Sequence, residues 1–396
     1  MTPNAAIDRM VERIAPELIA LRRELHQHPE LAFEEHETAR AVTGYLQGLG
    51  ITPQTGIAKT GVVGVIEGVG PGPTVGVRAD MDALPIEEQS GVVFASRIPG
   101  RMHACGHDAH TVIALGVAAV LQSMRGEMAG KVKLIFQPAE ETLSGAPAMI
   151  DAGVLEDPSM DCILGYHNWP PLDAGKVGYY PSVIMASSDA FDIVLKGKPA
   201  HAAHPHTGID AIVGAAQLIT QLQLIVSREI APVIPAVVTI GQIDGGTARN
   251  VIAGKVTLRG TARTLDAAAA KQVEASIRRI LQGLIPSLRL DYELTWIRQT
   301  PVLKNDARVL AVVLGAARDI LGTGMVAEMG PPSMGSEDFA WFAERVPAAH
   351  LRIGSKIAGL DTQIHFANYD CNELAIPTGV RAISRAVLDL LAQPGK

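Results

Sequence analysis

The chain has 396 residues, 47% of them hydrophobic and 19% charged, with a formal net charge of −7. That length exceeds one ordinary core and predicts roughly two to three domains, and the composition excludes a disordered chain. The acidic balance, without any Lys/Arg block, argues against nucleic acid and anionic membranes as partners, and no uninterrupted apolar run reaches the roughly 18 residues that span a bilayer.

In chain order, Asp8, Arg9, Glu12, Arg13, Glu17, Arg22, Arg23 and Glu24 punctuate an apolar pattern. It reads as an amphipathic helix over Ile7–His26, without the apolar stretch of a signal peptide. A second helix is expected over Glu35–Leu49, closed by Gly50. Gly61–Glu67 and Thr74–Ala79 are β-branched runs bounded by Gly and Pro. Asp108–Met124 is a helix with Asp108 expected as its N-cap. Lys131–Gln137 and Cys162–Tyr166 are strands. Strands separated by helices predict an α/β domain with a mainly parallel, covered sheet.

Around Ser187 the rhythm changes. Asp189–Lys196 alternates with period two, Gly208–Glu229 is helical, and Ala236–Gln242 and Lys255–Arg263 are strands. A helix over Asp266–Leu284 and a strand over Leu288–Trp296 complete a β-α-β-β-α-β order, the ferredoxin-like pattern. The expected organisation is a discontinuous domain of residues 1–186 and 300–396, with 187–299 as an inserted ferredoxin-like α+β domain. Cys105, Cys162 and Cys371 make no disulfide framework and point to a reducing, cytoplasmic setting.

Residues able to do chemistry fall at the carboxyl ends of the predicted strands, where open α/β sheets bind ligands. Asp80 and Asp82 follow one strand, Glu140 and Glu141 a second, and His167 a third. Cys105 and His107 precede a helix whose positive end favours a thiolate. Thiolate with imidazole suits zinc, manganese or a similar divalent ion. Adjacent carboxylates after a strand can divide their roles, one binding metal and the other serving as a base. Asp80 or Asp82 can hold a ligand histidine in orientation; each also reads as a cap or turn aspartate. His26, His28, His36, His103 and His110 read as structural. Within the inserted module, His201, His204 and His206 lie in one loop without a carboxylate or thiol. One of them can serve as an oxyanion donor; a capping or surface role is the simpler reading. Cys105 activated by His107 as a nucleophile is the competing enzymatic reading, and a metal-dependent binding protein the non-enzymatic one.

Several motifs recur in fixed order: Arg23-Glu-Leu-His-Gln-His-Pro-Glu30, Arg78-Ala-Asp-Met-Asp-Ala-Leu-Pro85, Met102-His-Ala-Cys-Gly-His-Asp108 and Gln137-Pro-Ala-Glu-Glu141. Ala200-His-Ala-Ala-His-Pro-His206, Gly245-Gly-Thr-Ala-Arg-Asn-Val-Ile252 and Gly335-Ser-Glu-Asp-Phe339 follow. Together they resemble the M20 metallopeptidase family, in its amidohydrolase branch. The resemblance implies two divalent metal ions (Mn²⁺, Zn²⁺, Co²⁺ or Ni²⁺) held by Cys105, His107, Glu141, His167 and His365. It implies Glu140 as general base, His201 reaching a partner subunit's active site in a homodimer formed through the inserted domain, and Asn250 beside the substrate. The implied reaction is hydrolysis of an N-acyl-L-amino acid, hippurate-like or N-acetylated, with a dipeptidase or carboxypeptidase as the alternative. One stretch departs from the family pattern: His365-Phe-Ala-Asn-Tyr-Asp-Cys-Asn-Glu373 keeps the histidine but alters its surroundings at Phe366 and Cys371.

Overall fold

Ile7, Val11, Ile14, Leu18 and Leu25 recur every three to seven residues. In the computed structural model, which describes residues 2–393, they form the buried stripe of helix α1 (Pro3–Gln27). Thr2 caps this helix by accepting the Ala5 N–H, and Pro3 sits where no donor is needed. Next come α2 (His36–Gly48), β1 (Gln54–Ile57), β2 (Gly61–Glu67), β3 (Thr74–Asp80), α3 (His107–Ser123), β4 (Lys131–Gln137), α4 (Gly145–Asp151), β5 (Cys162–Asp173) and β6 (Val177–Tyr179). They are followed by β7 (Val183–Met185), β8 (Ser187–Lys196), β9 (Ala200–His201), α5 (Ala211–Leu224), β10 (Ala236–Gly245), β11 (Val251–Ile252), β12 (Lys255–Thr264), α6 (Ala267–Ser287) and β13 (Asp291–Thr300). The chain ends through β14 (Leu303–Lys304), α7 (Ala307–Leu321), β15 (Val326–Glu328), α8 (Ala340–Ala343), β16 (Ala348–Lys356) and α9 (Ala375–Leu391).

These elements form two compact units. The larger comprises Met1–Ser182, Lys304–Pro331 and Asp338–Lys396; the smaller comprises Val183–Leu303 and Pro332–Glu337. The smaller thus extends a few residues past 187–299 at each end and takes in a returning segment that sequence periodicity did not mark.

The larger unit is built on an eight-stranded sheet in the order β1-β2-β4-β3-β5-β16-β6-β15. β4, β3, β5 and β16 run parallel, as do β6 and β15; the pairs β1/β2, β2/β4 and β16/β6 are antiparallel. Val75, Val77 and Ala79 of β3, Leu134 and Phe136 of β4, and Leu351 and Ile353 of β16 join one apolar core with residues of α1, α3 and α9. Strand alternation sends Arg78, Asp80, Gln137, His350 and Arg352 to the opposite face, where they too are buried. One face of the sheet is therefore hydrocarbon, and the other mixes buried polar side chains with apolar ones such as Ile135 and Ile163. Gly116 lets the central helix approach its neighbours: a Cβ there would lie 2.5 Å from Val380 and 2.7 Å from Leu18.

In the smaller unit, β10-β12-β8-β13 form an antiparallel sheet. Phe191, Ile193 and Leu195 alternate into a core with Ala211, Ala215, Leu218 and Leu222 of α5 and Val273 and Ile277 of α6. The last strand begins at Asp291 and not Leu288, because α6 continues through Ser287. The helical stretch Ala211–Glu229 is long and apolar enough, by length and composition alone, to cross a membrane. Its stripe Ala211, Ala215, Leu218, Leu222 and Ile225 is buried in this unit's core, so it packs here as a core helix.

Candidate metal centre

Four elements of the larger unit deliver the candidate ligands. Cys105 and His107 flank Gly106, the N-cap of α3, which adopts φ 83°. A Cβ at Gly106 would lie 2.3 Å from Asn168 Nδ2 and 2.4 Å from Tyr369 Oη, so both the left-handed backbone and the close approach require glycine. Glu140 and Glu141 occupy the turn after β4, and Asp80 and Asp82 the end of β3. His365 lies in the loop after β16, itself at φ 68°. His167 sits inside β5, not beyond its end, because that strand continues to Asp173.

The side chains converge. Cys105 Sγ is 3.2 Å from His167 Nε2, and His365 Nε2 is 3.3 Å from Glu141 Oε2. Ligand atoms of Cys105, His107 and His167 lie within 4.8 Å of one another. The same holds for Cys105, Glu141 and His365, and for His107, Glu140 and Glu141. Two donor sets therefore share the Cys105 sulfur, one with two imidazoles and one with a carboxylate and an imidazole. Among the described residues, buried His107 Nε2 and Glu141 Oε1 have no hydrogen-bond partner and face each other at 3.9 Å. Orphaned buried polar atoms of this kind are costly. Sulfur, nitrogen and oxygen donors in this mixture fit divalent metal ions.

The neighbours aim the ligands. Asp82 Oδ1 pairs with His107 Nδ1 at 3.2 Å while its Oδ2 accepts the Glu141 N–H at 2.9 Å, so one aspartate orients two candidate ligands. His167 Nδ1 meets the Asn168 carbonyl at 2.6 Å, which leaves Nε2 for a ligand role. Asp80 accepts from Arg78 at 2.6 Å, pairs with His110 Nδ1 at 2.6 Å and lies 3.9 Å from His107 Nε2.

The titration behaviour belongs to an anionic pocket. Burial pushes the Cys105 thiol well above its ordinary range, helped by the charges of Glu141, Glu140 and Asp80. Burial raises Glu141 to about 7 against the pull of His107. Burial opposes a charge on His107, but Asp80, Asp82 and Glu141 outweigh it and raise that imidazole to about 10. All three shifts hold protons where the surrounding charge calls for a cation. His167 is pushed well below its usual value by burial and by the neighbouring His110 and Arg352, and His365 is lowered by burial and His107. Both are neutral imidazoles with a lone pair to give.

Further residues complete the surroundings of the candidate centre. Asn168 Nδ2 donates to the Cys105 carbonyl at 2.7 Å, and Tyr369 Oη and Ser355 Oγ donate to Asn168 Oδ1. His110 Nε2 accepts the Asn168 backbone N–H at 2.8 Å. Its place three residues after His107, on the same helical face, was the one available hint. Asp108, expected as the N-cap, lies within the first turn of α3 and is fully buried. Its carboxylate is taken by Arg22 at 2.7 Å and His26 at 2.8 Å, and these cations hold it well below the usual carboxylate range despite its burial.

His201 and Asn250 belong to the smaller unit. There β9 pairs with β11, placing His201 opposite Val251, and the Ala202 N–H donates to the Asn250 carbonyl at 2.9 Å. Both residues are exposed.

The sequence model of peptidase family M20/M25/M40 matches residues 76–389. An N-acetylcysteine deacetylase of Bacillus subtilis is 41% identical over 342 residues, covering 85% of this chain and 88% of the relative. An N-acyl-L-amino acid amidohydrolase of Geobacillus stearothermophilus is 43% identical over 288 residues, 72% of this chain and 77% of the relative. The crystal structure of the Bacillus subtilis YXEP protein, described as a dinuclear metal binding peptidase from the M20 family, superimposes with a TM-score of 0.84 at 35% identity. That match covers 96% of this chain and 99% of the other.

Proposed function

The chain belongs to peptidase family M20/M25/M40 and is a metal-dependent hydrolase; from that premise we propose that it hydrolyses the amide bond of N-acyl-L-amino acids, releasing a carboxylic acid and a free amino acid. The observation that carries this reading is the pair of donor sets sharing Cys105, with the Glu140 carboxylate within reach of His107 and Glu141. Cys105, His107 and His167 would hold one divalent ion, and Cys105, Glu141 and His365 the other. Ions bound there supply Lewis acidity and lower the pKa of water.

Glu140 takes the proton of the attacking water and returns it to the departing amine nitrogen. It is buried in the turn after β4. Asp82 holds His107 and the Glu141 backbone, while Asp80 anchors His110 and Arg78 beneath them. His201 donates to the developing oxyanion, and Asn250 holds the substrate. The pairing of His201 with Val251, the Ala202 N–H bond to the Asn250 carbonyl and the exposure of both residues support a joint role. A homodimer formed through the smaller unit would bring His201 to the partner's site. The exposed Ile212, Val213 and Leu224 of α5, together with Val237 and Ile243 on the sheet-edge strand β10, support such pairing. Buried free thiols at Cys105, Cys162 and Cys371 accord with a cytoplasmic setting.

The test is release of free amino acid from a panel of N-acetyl, N-benzoyl, long-chain acyl and indoleacetyl amino acids and of dipeptides. The protein is stripped with chelator and reloaded with Mn²⁺, Zn²⁺, Co²⁺ or Ni²⁺. Metal-restored release from acylated amino acids, ahead of dipeptides, is the expected result. Preference for dipeptides would move the assignment to a peptidase, and no turnover with about two ions bound would sink the catalytic reading.

A further inference from the structure

We infer that Asp338 is a positioning residue for Glu140, an inference that rests on Glu140 being the base. Asp338 lies just ahead of α8 and is fully buried. Its Oδ1 accepts from Arg78 Nη2 at 2.8 Å and from Gln137 Nε2 at 2.8 Å; its Oδ2 accepts from Gln137 Nε2 at 2.9 Å and from the Ala146 N–H at 2.8 Å. Gln137 is the last residue of β4 and Ala146 lies in the first turn of α4. One carboxylate thus straps together the entry and the exit of the loop that carries Glu140 and Glu141. The Asp338 backbone N–H also points at Glu140 Oε1, 3.4 Å away. That contact is long, as such bonds often are before substrate binds.

The loop needs such a strap. Ala139 and Leu143, neither of them glycine, are both held at φ 55°. Backbone of that kind persists only where its surroundings over-determine it. Glu35 contributes by accepting the Ala139 N–H at 2.9 Å, but it grips only the entry side. Arg78 joins the strap to the metal centre, donating to Gln137 Oε1 at 2.8 Å and to Asp80 as well as to Asp338. Arg78 therefore hydrogen-bonds the strand-end aspartate, the entry to the base loop and Asp338 at once.

Asp338→Asn keeps the shape but sets an amide N–H against donors that now meet an oxygen. The expected result is a kcat lower by ~10–100-fold, since misplacement of about 1 Å costs that much, with KM within about threefold and metal content unchanged. In metal-free protein the Ala146 amide should exchange its hydrogen faster. The decisive arm is a double-mutant cycle: in a Glu140→Gln background the same substitution should change residual turnover by less than about threefold. Faster exchange with unchanged kcat would overturn the inference, leaving the strap purely structural. An equal loss in both backgrounds would overturn it as well, because Asp338 would then act by another route. If Glu140→Gln alone retained full turnover, the base assignment itself would fall, and that result is read from the single variant. Should Asp338→Asn not fold, Gln137→Met removes the entry side of the strap, keeps the Arg78–Asp338 pair, and is read through the same cycle.

Discussion

Gly106→Ala isolates how the protein builds its ligand turn. The substitution adds one methyl group at φ 83°, a conformation that costs an L-residue about 1–2 kcal/mol. That methyl would also meet Asn168 Nδ2 at 2.3 Å and Tyr369 Oη at 2.4 Å, contacts that cannot stand. Moving Asn168 breaks its hydrogen bond to the Cys105 carbonyl and its contact with His110, leaving buried polar groups unpaired at about 1–3 kcal/mol. The sum is about 2–5 kcal/mol, lost from the larger unit. Equilibrium urea unfolding of the metal-free protein reads the stability change, and metal analysis of the reloaded protein reads the geometry of Cys105 and His107. We expect a lower unfolding midpoint and a metal content clearly below wild type. A midpoint shift equivalent to less than about 1 kcal/mol, with full metal loading, would refute the claim that this turn is built against Asn168 and Tyr369.

Asp82→Asn should weaken metal binding by about 10–100-fold, because the same carboxylate orients His107 and the Glu141 backbone; calorimetric titration of the stripped protein checks it, and unchanged affinity would remove Asp82 from the support of the site. Metal-free protein should lose stability as pH rises from 7 to 10. His107 is raised from 6.5 to about 10 in the fold, so the stability it contributes is complete below the unfolded value and disappears as pH climbs through the folded one. Cys105, raised well above 9, acts in the same direction at the upper end. The metal-loaded protein should be flatter over that window, and parallel melting curves for the two forms would contradict this electrostatic picture. Native protein at neutral pH should react slowly with a thiol reagent at all three cysteines and fully only in urea, because each thiol is buried and raised. One fast thiol would revive the reading of Cys105 as a nucleophile.

Sequence reasoning reached furthest where chemistry is local. Cys105 and His107 stand two residues apart ahead of an apolar run, and Asp80, Glu140 and Glu141 stand at the ends of recognisable strands, so convergence on one rim is legible from those strand-end positions. It fell short where long-range pairing competes with local rules. Asp108 has the residue type and place of an N-cap, yet Arg22 and His26, over eighty residues away in sequence, claim its carboxylate, and Gly106 takes the cap position. β5 runs past Pro170 and Pro171, residues that normally end a strand. The register between β5 and β16 shifts there, between Gly354 and Lys356, so the prolines sit at an irregularity. The short strands β1, β6 and β15 were invisible because three or four residues carry too little periodicity. Asn168 and Asp338 are not legible as supports in the sequence, because their work lies in contacts to backbone and side chains distant in sequence.

The central claim is that Glu140 is the base of a two-metal amide hydrolase. The most direct measurement compares Glu140→Gln with wild type, kcat alongside metal content, on whichever N-acyl amino acid the substrate panel ranks first. Unchanged metal loading, a KM within a few-fold of wild type and a kcat lower by about 10²–10⁴-fold are expected. Wild-type turnover in a fully metal-loaded Glu140→Gln protein would contradict that claim.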